Sequence, residues 1–337
     1  MRVFQIEGDW GMEHLKLSSR AEPVAGPDQV LVRMKASSLN YRDLVVPARG
    51  YGSYTGTLPL IPVSDGVGVV AAVGASVSRV AVGDRVCPTY FQSWIGGEPD
   101  LERLTQSLGG PIDGTMTELM CLSEQGVVKV PVHLSDTQAA GLPCAALTAW
   151  SALTSAGVCR PGDRVLVQGC GGVALFALQF AKLLGAHVTV ITSSEERMDK
   201  VKKLGADAVL NYRAVPEWAK ATREFTNGRG YDLIVELGGE KTLPQSLRCI
   251  RPGGTIAMIG ILSGSTMATS LGHIITRQVR LQGVTVGHRD GFEAMLRAIE
   301  QHQVQPIVDR VFAFSELKEA MDYLKSGVQF GKVCLEH

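Results

Sequence analysis

The segment Asp163 to Arg197, DRVLVQGCGGVALFALQFAKLLGAHVTVITSSEER, constrains the fold of this chain more than any other. Arg164 to Gln168 is a short apolar run behind the turn Pro161-Gly162-Asp163, so it reads as a buried strand. The turn Gly169-Cys170-Gly171-Gly172 comes next. Val173 to Leu184 then places apolar residues at helical spacing and stops at Gly185, a helix-end signal. His187 to Thr192 is rich in β-branched residues and reads as the next strand. The order is a βαβ unit whose glycine turn sits where a dinucleotide pyrophosphate is held. Glycine lets the backbone approach the phosphates, and the helix start supplies N–H groups and a positive dipole end. The fingerprint G-x-G-x-x-G closes here on Ala174, an accepted variant because that position serves close helix–strand packing.

The residues at the end of the second strand select the cofactor. An NAD site commonly ends that strand in an acidic residue that holds the ribose 2′-hydroxyl. Here it ends in Thr192-Ser193-Ser194, and Glu195-Glu196-Arg197 come next. Small hydroxyls beside an arginine suit a 2′-phosphate, so NADPH is the expected cofactor. Glu195 is the residue that argues for NADH instead. A local reading also stands: Ser193 and Glu196 have capping-box spacing and open the next helix, a role compatible with a ribose contact.

A chain of 337 residues exceeds one ordinary core and implies two domains. With 33 basic and 33 acidic side chains there is no electrostatic case for nucleic acid or an anionic membrane. Apolar runs are short, and Met1-Arg2-Val3 leads straight into a strand-like segment, so neither a span nor a signal peptide is expected. Seven scattered cysteines, odd in number and without C-x-x-C pairs, read as reduced thiols of a cytoplasmic protein.

The N-terminal third is β-rich. Val30 to Ala36 alternates, and Pro62 to Val73 and Gly83 to Cys87 are short β-branched runs broken by Gly and Pro. From Thr137 the texture turns helical, and strands then alternate with helices. Later strands are expected at Ala208 to Leu210, Leu233 to Glu236, Thr255 to Ile259 and Arg280 to Val286. Crossover helices are expected at Lys200 to Leu204, Trp218 to Phe225 and Leu243 to Ile250. That alternation implies an α/β fold with a doubly wound parallel sheet. A helix over Gly291 to Gln301 precedes strands at Ile307 to Phe314 and Gly331 to Glu336 that return to the first domain.

Taken together, Ala36 to Asp43, Ile61 to Gly74, Gly83 to Val86, Leu142 to Ala149, Gly169 to Ala174, Leu204 to Asp207, Arg251 to Gly254 and Gly331 to Val333 resemble the medium-chain dehydrogenase/reductase superfamily, in its zinc-independent branch with quinone oxidoreductases and enoyl reductases. The resemblance implies a GroES-like β domain over 1–123 and 288–337, a Rossmann domain over 124–287, and an active site in the cleft between them. Alcohol-oxidising members hold a catalytic zinc through a Cys in the first motif, a His-Glu pair in the second and a distal Cys. Here those places carry Asn40, Ser64-Asp65 and Cys144, and Thr89 to Ser107 lacks the cysteines of a structural zinc loop. Asn and Ser are poor zinc ligands, so no metal is expected. Without a Lewis acid, hydride addition to a quinone or enone is favoured, since the product charge is delocalised and hydrogen bonds suffice. The expected function is NADPH-dependent reduction of a small electrophile, a quinone or an α,β-unsaturated carbonyl.

The resemblance places Asn40 near the nicotinamide and the substrate oxygen, with bracing of the Asn40 to Asp43 turn as an equal reading. It places Tyr51 facing the substrate, with Tyr54 and Tyr41 as rivals and an ordinary half-buried aromatic as the plain reading. For the cofactor it implies Gly169, Gly171, Gly172 and Val173 at the pyrophosphate and Ser193, Ser194 and Arg197 at the 2′-phosphate. Tyr212 flanks the adenosine phosphate, Gly260 and Ile261 line the nicotinamide side, and Lys332 lies near the cofactor. Arg289 reaches the cleft or serves the surface. Relatives dimerise through the last Rossmann strand, so a homodimer is expected. A metal-free alcohol dehydrogenase or ketoreductase, and a non-catalytic NADPH sensor, stay open as alternatives.

Overall fold

A computed structural model describes residues 1–266 and 271–337, and among the described residues fifteen strands succeed one another. They are β1 (Arg2–Ile6), β2 (Leu15–Ser19), β3 (Gln29–Leu39), β4 (Asp65–Val73), β5 (Arg85–Pro88), β6 (Leu119–Ser123), β7 (Val127–Lys129), β8 (Arg164–Gln168), β9 (His187–Thr192), β10 (Ala208–Asn211), β11 (Tyr231–Glu236), β12 (Ile250–Met258), β13 (Arg280–Gly283), β14 (Val308–Ala313) and β15 (Lys332–Glu336). The chain divides into two compact units, residues 1–147 with 287–337, and residues 148–286.

The first unit is built on the sheet β14-β15-β3-β4-β5-β7, with β6 paired to β3. Its long strand β3 is buried at every second position as far as Met34 and continuously from Ala36 to Leu39, so the same strand serves a half-covered and a fully covered stretch. The C-terminal strand β15 pairs antiparallel with β3, Val333 opposite Leu39, which brings the end of the chain beside the end of β3. Phe4, Ile6, Leu39, Met116, Phe314 and Leu317 share one apolar core there. A GroES-like domain is the matching architecture.

Residues 124–147, expected in the dinucleotide-binding domain, belong to the first unit. The reason is non-local pairing: β7 lies antiparallel to β5, with Cys87 opposite Val128, and the Cys87 thiol donates to Ala139 O at 3.3 Å. The stretch read as simply helical from Thr137 contains two π-helical turns, Leu142–Ala146 and Ala152–Ala156.

The second unit carries six parallel strands in the order β10-β9-β8-β11-β12-β13. Counted within the unit this is 3-2-1-4-5-6, the order of dinucleotide-binding sheets, and the order reverses between β8 and β11. Strands β8 and β11 are almost wholly buried, because helices cover both faces of a parallel sheet. The last strand is shorter than expected. It stops at Gly283 instead of Val286, which takes φ 52°, a left-handed conformation that ends a strand. All four residues of β13 are exposed, as befits a sheet edge. Among the described residues, no helix is long and apolar enough to cross a membrane.

Candidate functional site

On the second unit, β8 ends at Gln168 and the chain turns through Gly169 at φ 82°, where a side chain is strained. A Cβ at Gly169 or at Gly171 would meet nothing within 4 Å, so open space lies over this turn. Gly171 then begins the 12-residue helix Gly172–Leu183 with no side-chain cap. The first-turn N–H groups, those of Gly172 and Val173 included, and the positive dipole end are therefore left to a ligand or water. These are the conditions a pyrophosphate requires.

Strand β9 delivers Thr192, and the next turn gathers the expected selectivity residues. Ser194 caps the helix Glu195–Lys203 by accepting from Arg197 N at 3.3 Å. The cap is thus Ser194, one residue later than the capping-box spacing of Ser193 with Glu196 indicated. This frees the Ser193 hydroxyl, which accepts from Arg197 Nη1 at 3.2 Å. Glu195 accepts from Asn211 Nδ2 at 3.0 Å. Tyr212 donates its backbone N–H to Thr192 O at 2.9 Å, and the residue is 38% exposed.

A buried node that sequence patterns did not reveal ties the ends of β8 and β11 at the reversal of strand order. Gln168 Nε2 donates to Glu236 Oε2 at 2.6 Å, while Leu237 N and Gly238 N donate to Gln168 Oε1 at 3.1 and 3.2 Å. Glu236 also accepts from Gly238 N at 3.0 Å and Gly239 N at 3.1 Å, and from the Thr242 and Ser246 hydroxyls. A carboxylate so satisfied rigidifies the loop after β11. The detectable signal is a glutamate closing an otherwise apolar strand, LIVE. Gly260 and Ile261 line a cavity of about 170 Å³ together with Glu236, Leu243 and Met258.

On the first unit, β3, β4 and β15 bring a second polar cluster together. Asn40 comes directly after β3, and its backbone N–H donates to Asp43 Oδ2 at 2.7 Å. The turn is therefore braced by the Asp43 carboxylate and not by the Asn40 side chain. Asn40 Oδ1 accepts from Lys332 Nζ at 2.6 Å, and the same ammonium donates to Leu39 O at 2.6 Å. Asn40 Nδ2 is buried without a hydrogen-bond partner, although its nearness favours the ionised form of Asp65. Asp65 is wholly buried and accepts from Ser64 Oγ at 2.8 Å and Cys144 N at 3.0 Å. The π-helical turn at Leu142–Ala146 carries Cys144, whose N–H goes to this carboxylate. Burial raises the Asp65 carboxyl, against the charge of Lys332. Burial and the neighbouring Asp65 push the Cys144 thiol up strongly, so it stays protonated.

Arg42 and Asp43 were legible only as part of a motif, and the structure gives them work. Arg42 donates to Leu108 O at 2.8 Å and Gly110 O at 3.0 Å and lies 4.9 Å from the Tyr90 ring centre, pinning the 108–110 loop. Asp43 is fully buried, and its Oδ1 has no hydrogen-bond partner. Burial, opposed by Arg42, raises its carboxyl to about 6. A folded value above the unfolded one makes a stabilising contribution below the unfolded pKa, lost as pH rises through the folded one. Asp43→Asn should therefore flatten this part of the stability profile between about pH 4 and 6 and stabilise the protein at pH 8 by up to about 3 kcal/mol. Denaturant melts of both proteins at pH 4, 6 and 8 check this. His337, lowered to about 4 by burial, contributes the opposite slope in both and cancels from the comparison.

Tyr51 is 44% exposed, and burial of the rest of the ring, opposed by Arg42, raises its phenol. It lies within electrostatic reach of Asp43 and Cys144, whereas Tyr41 and Tyr54 are more exposed, at 54% and 65%. Arg289 donates to Gln125 Oε1 at 2.5 Å and pairs with Asp290 at 3.4 Å, which occupies it at the start of its helix. Among the described residues, no group of three or more His, Cys, Asp or Glu side chains is placed to hold a metal ion.

A glycine turn at the switch point of a 3-2-1-4-5-6 sheet, joined in one chain to a GroES-like unit, defines a pyridine-nucleotide-dependent oxidoreductase. Residues 26–132 match the alcohol dehydrogenase GroES-like domain, and residues 172–301 match the zinc-binding dehydrogenase domain. A zinc-type alcohol dehydrogenase-like protein of Schizosaccharomyces pombe is 41% identical, covering 97% of this chain and 96% of that protein. The crystal structure of a putative alcohol dehydrogenase from Sinorhizobium meliloti superposes with a TM-score of 0.93 at 40% identity, covering 100% of this chain and 98% of that one. An acryloyl-coenzyme A reductase of Sulfurisphaera tokodaii is 29% identical over 95% of this chain and 96% of its own length. The chain belongs to the medium-chain dehydrogenase/reductase superfamily.

Proposed function

We propose that this protein is an NADPH-dependent reductase of quinones or α,β-unsaturated carbonyls that works without catalytic zinc. The observation that carries the reading is the donor set of the first unit. Zinc, named in the description of the family, does not fit it. Asn40 and Ser64 are poor zinc ligands, and Asp65 is already committed to Ser64, the Cys144 N–H and the charge of Lys332.

When bound, the reduced nicotinamide supplies a hydride. The residues of the second unit fit its carrier: Gly169, Gly171, Gly172 and Val173 would hold the pyrophosphate, and Gly260 and Ile261 the nicotinamide side. Ser193, Ser194 and Arg197 would hold the 2′-phosphate, with Tyr212 beside it. Glu195, engaged by Asn211, is turned to a structural task, which supports NADPH over NADH. In the first unit Asn40 would donate from Nδ2 to the acceptor oxygen as charge develops on it, and the Tyr51 phenol would donate beside it. Arg197→Ala should weaken NADPH about 10- to 100-fold and leave NADH within about threefold, the loss expected for hydrogen bonds to a charged group. Equal losses for both nucleotides would count against the 2′-phosphate role.

A second reading, oxidation of simple alcohols, is supported by the names of the Schizosaccharomyces pombe and Sinorhizobium meliloti relatives. Parallel assays with a simple alcohol, 1,4-benzoquinone and a 2-alkenal separate the two. We propose further that two copies pair through the exposed edge β13, giving a cytoplasmic homodimer. Light scattering at micromolar concentration should return twice the chain mass, and a monomer would refute the pairing.

A further inference from the structure

We propose that Lys332 supplies, as a fixed ammonium, the positive charge that zinc-binding relatives place at this position as a metal, and that it acts through Asn40. The inference rests on the proposed zinc-free function. Lys332 is a lysine only 3% exposed, carried into the first unit by β15. Its Nζ donates to Asn40 Oδ1 and to Leu39 O, each at 2.6 Å. Its charge also favours the ionised forms of Asp65 and Cys144, and of Asp43 more weakly. The ammonium thus holds Asn40 by a hydrogen bond, and its charge acts on Asp65 and Cys144 at the other two ligand positions.

Elementary chemistry gives this arrangement two consequences. First, an ammonium only donates, so the Asn40 atom it holds is the oxygen, and the orientation of the amide is settled. The Nδ2 end is buried beside the Asp65 carboxylate, whose ionised form it favours, and makes no close hydrogen bond; it carries two N–H groups, so one is left for a substrate oxygen. A hydrogen bond accepted at the amide oxygen polarises the amide and strengthens donation from its nitrogen. Lys332 is therefore a positioning residue, which aims and strengthens the donor that meets the substrate oxygen. Second, Lys332 balances Asp65, so the cluster offers no surplus negative charge to draw in a dication. The resemblance alone implied a cofactor contact for Lys332. The geometry assigns its ammonium to Asn40.

The test compares steady-state NADPH oxidation by 1,4-benzoquinone in wild type, Lys332→Met, Asn40→Ala, the combination of those two, and the double variant Asp65→Asn/Lys332→Met. The last removes the Asp65 carboxylate together with the Lys332 charge that acts on it, and carries the test where Lys332→Met alone fails to fold. We expect kcat to fall at least about 30-fold in Asp65→Asn/Lys332→Met, with KM for NADPH within about threefold. Adding Lys332→Met to Asn40→Ala should cost less than about threefold more, because the two act as one unit. Recovery of kcat in Asp65→Asn/Lys332→Met to within about threefold of wild type would show that the lysine only balances Asp65, and would overturn the proposal. A loss confined to KM for NADPH would overturn it in favour of a cofactor contact. Wild type that turns over no conjugated acceptor overturns both this inference and the functional reading. Active wild type with an unimpaired double variant overturns the role of Lys332 alone.

Discussion

Gly171→Val should leave the free protein nearly as stable as wild type and abolish useful NADPH binding. Gly171 has φ −78° and ψ −175°, a conformation valine adopts readily, and a Cβ there meets nothing within 4 Å. The cost to the fold is the loss of a glycine helix cap, which lowers Tm by no more than about 4 °C in a domain of this size. In the complex the branched side chain would occupy the space the pyrophosphate needs and keep the helix N-terminus from reaching it. A weakening of at least about 100-fold in Kd is expected, read by quenching of protein fluorescence or by calorimetry. Affinity within about threefold of wild type would mean that the open space over this turn is not the phosphate site.

Asn40→Ala should lower kcat for conjugated acceptors by about 100- to 1,000-fold, the usual loss when one donor to a developing oxyanion is removed. NADPH affinity should stay within about threefold, because the proposed nucleotide contacts lie on the other unit. Tm should fall by several degrees, because alanine keeps the backbone brace from Asp43 but leaves the buried Lys332 ammonium with Leu39 O alone of its two acceptors. Stopped-flow measurement of NADPH oxidation at saturating quinone isolates this term from product release. An unchanged kcat would leave Asn40 as scaffold and move the chemistry to Tyr51.

The parts of the molecule that were legible in the sequence are those encoded locally. The unit from β8 to β9 combines strand, glycine turn, uncapped helix and strand within one short segment, and each signal there agrees with its neighbours. Helix and strand ends moved by a few residues, as at β13, because Val286 adopts a left-handed backbone no pattern reports. Ser193 and Ser194 exchanged roles because a one-residue change in where the helix begins decides which hydroxyl caps and which is left for Arg197. The assignment of residues 124–147 failed for a different reason. Pairing of β7 with β5 is a tertiary event, invisible to periodicity.

The polar cluster was harder still. Lys332 and Asn40 are 292 positions apart, and only antiparallel pairing of β15 with β3 brings them together. Glu236 and Gln168 meet for the same kind of reason, across the reversal of strand order. Their one signal was chemical: a charge inside an apolar run must find partners or remain neutral. Arg42-Asp43 before Leu44-Val45-Val46, and Asp65 at the head of β4, carry that signal.

The central claim is hydride delivery to a conjugated acceptor from a site that holds no zinc. Protein purified from zinc-supplemented cells should be assayed for NADPH oxidation by 1,4-benzoquinone before and after exhaustive dialysis against a strong chelator, with zinc counted in the same samples. The account predicts less than about 0.1 zinc per chain and the same turnover in both. Stoichiometric zinc, whose removal abolishes turnover and whose return restores it, would contradict the account.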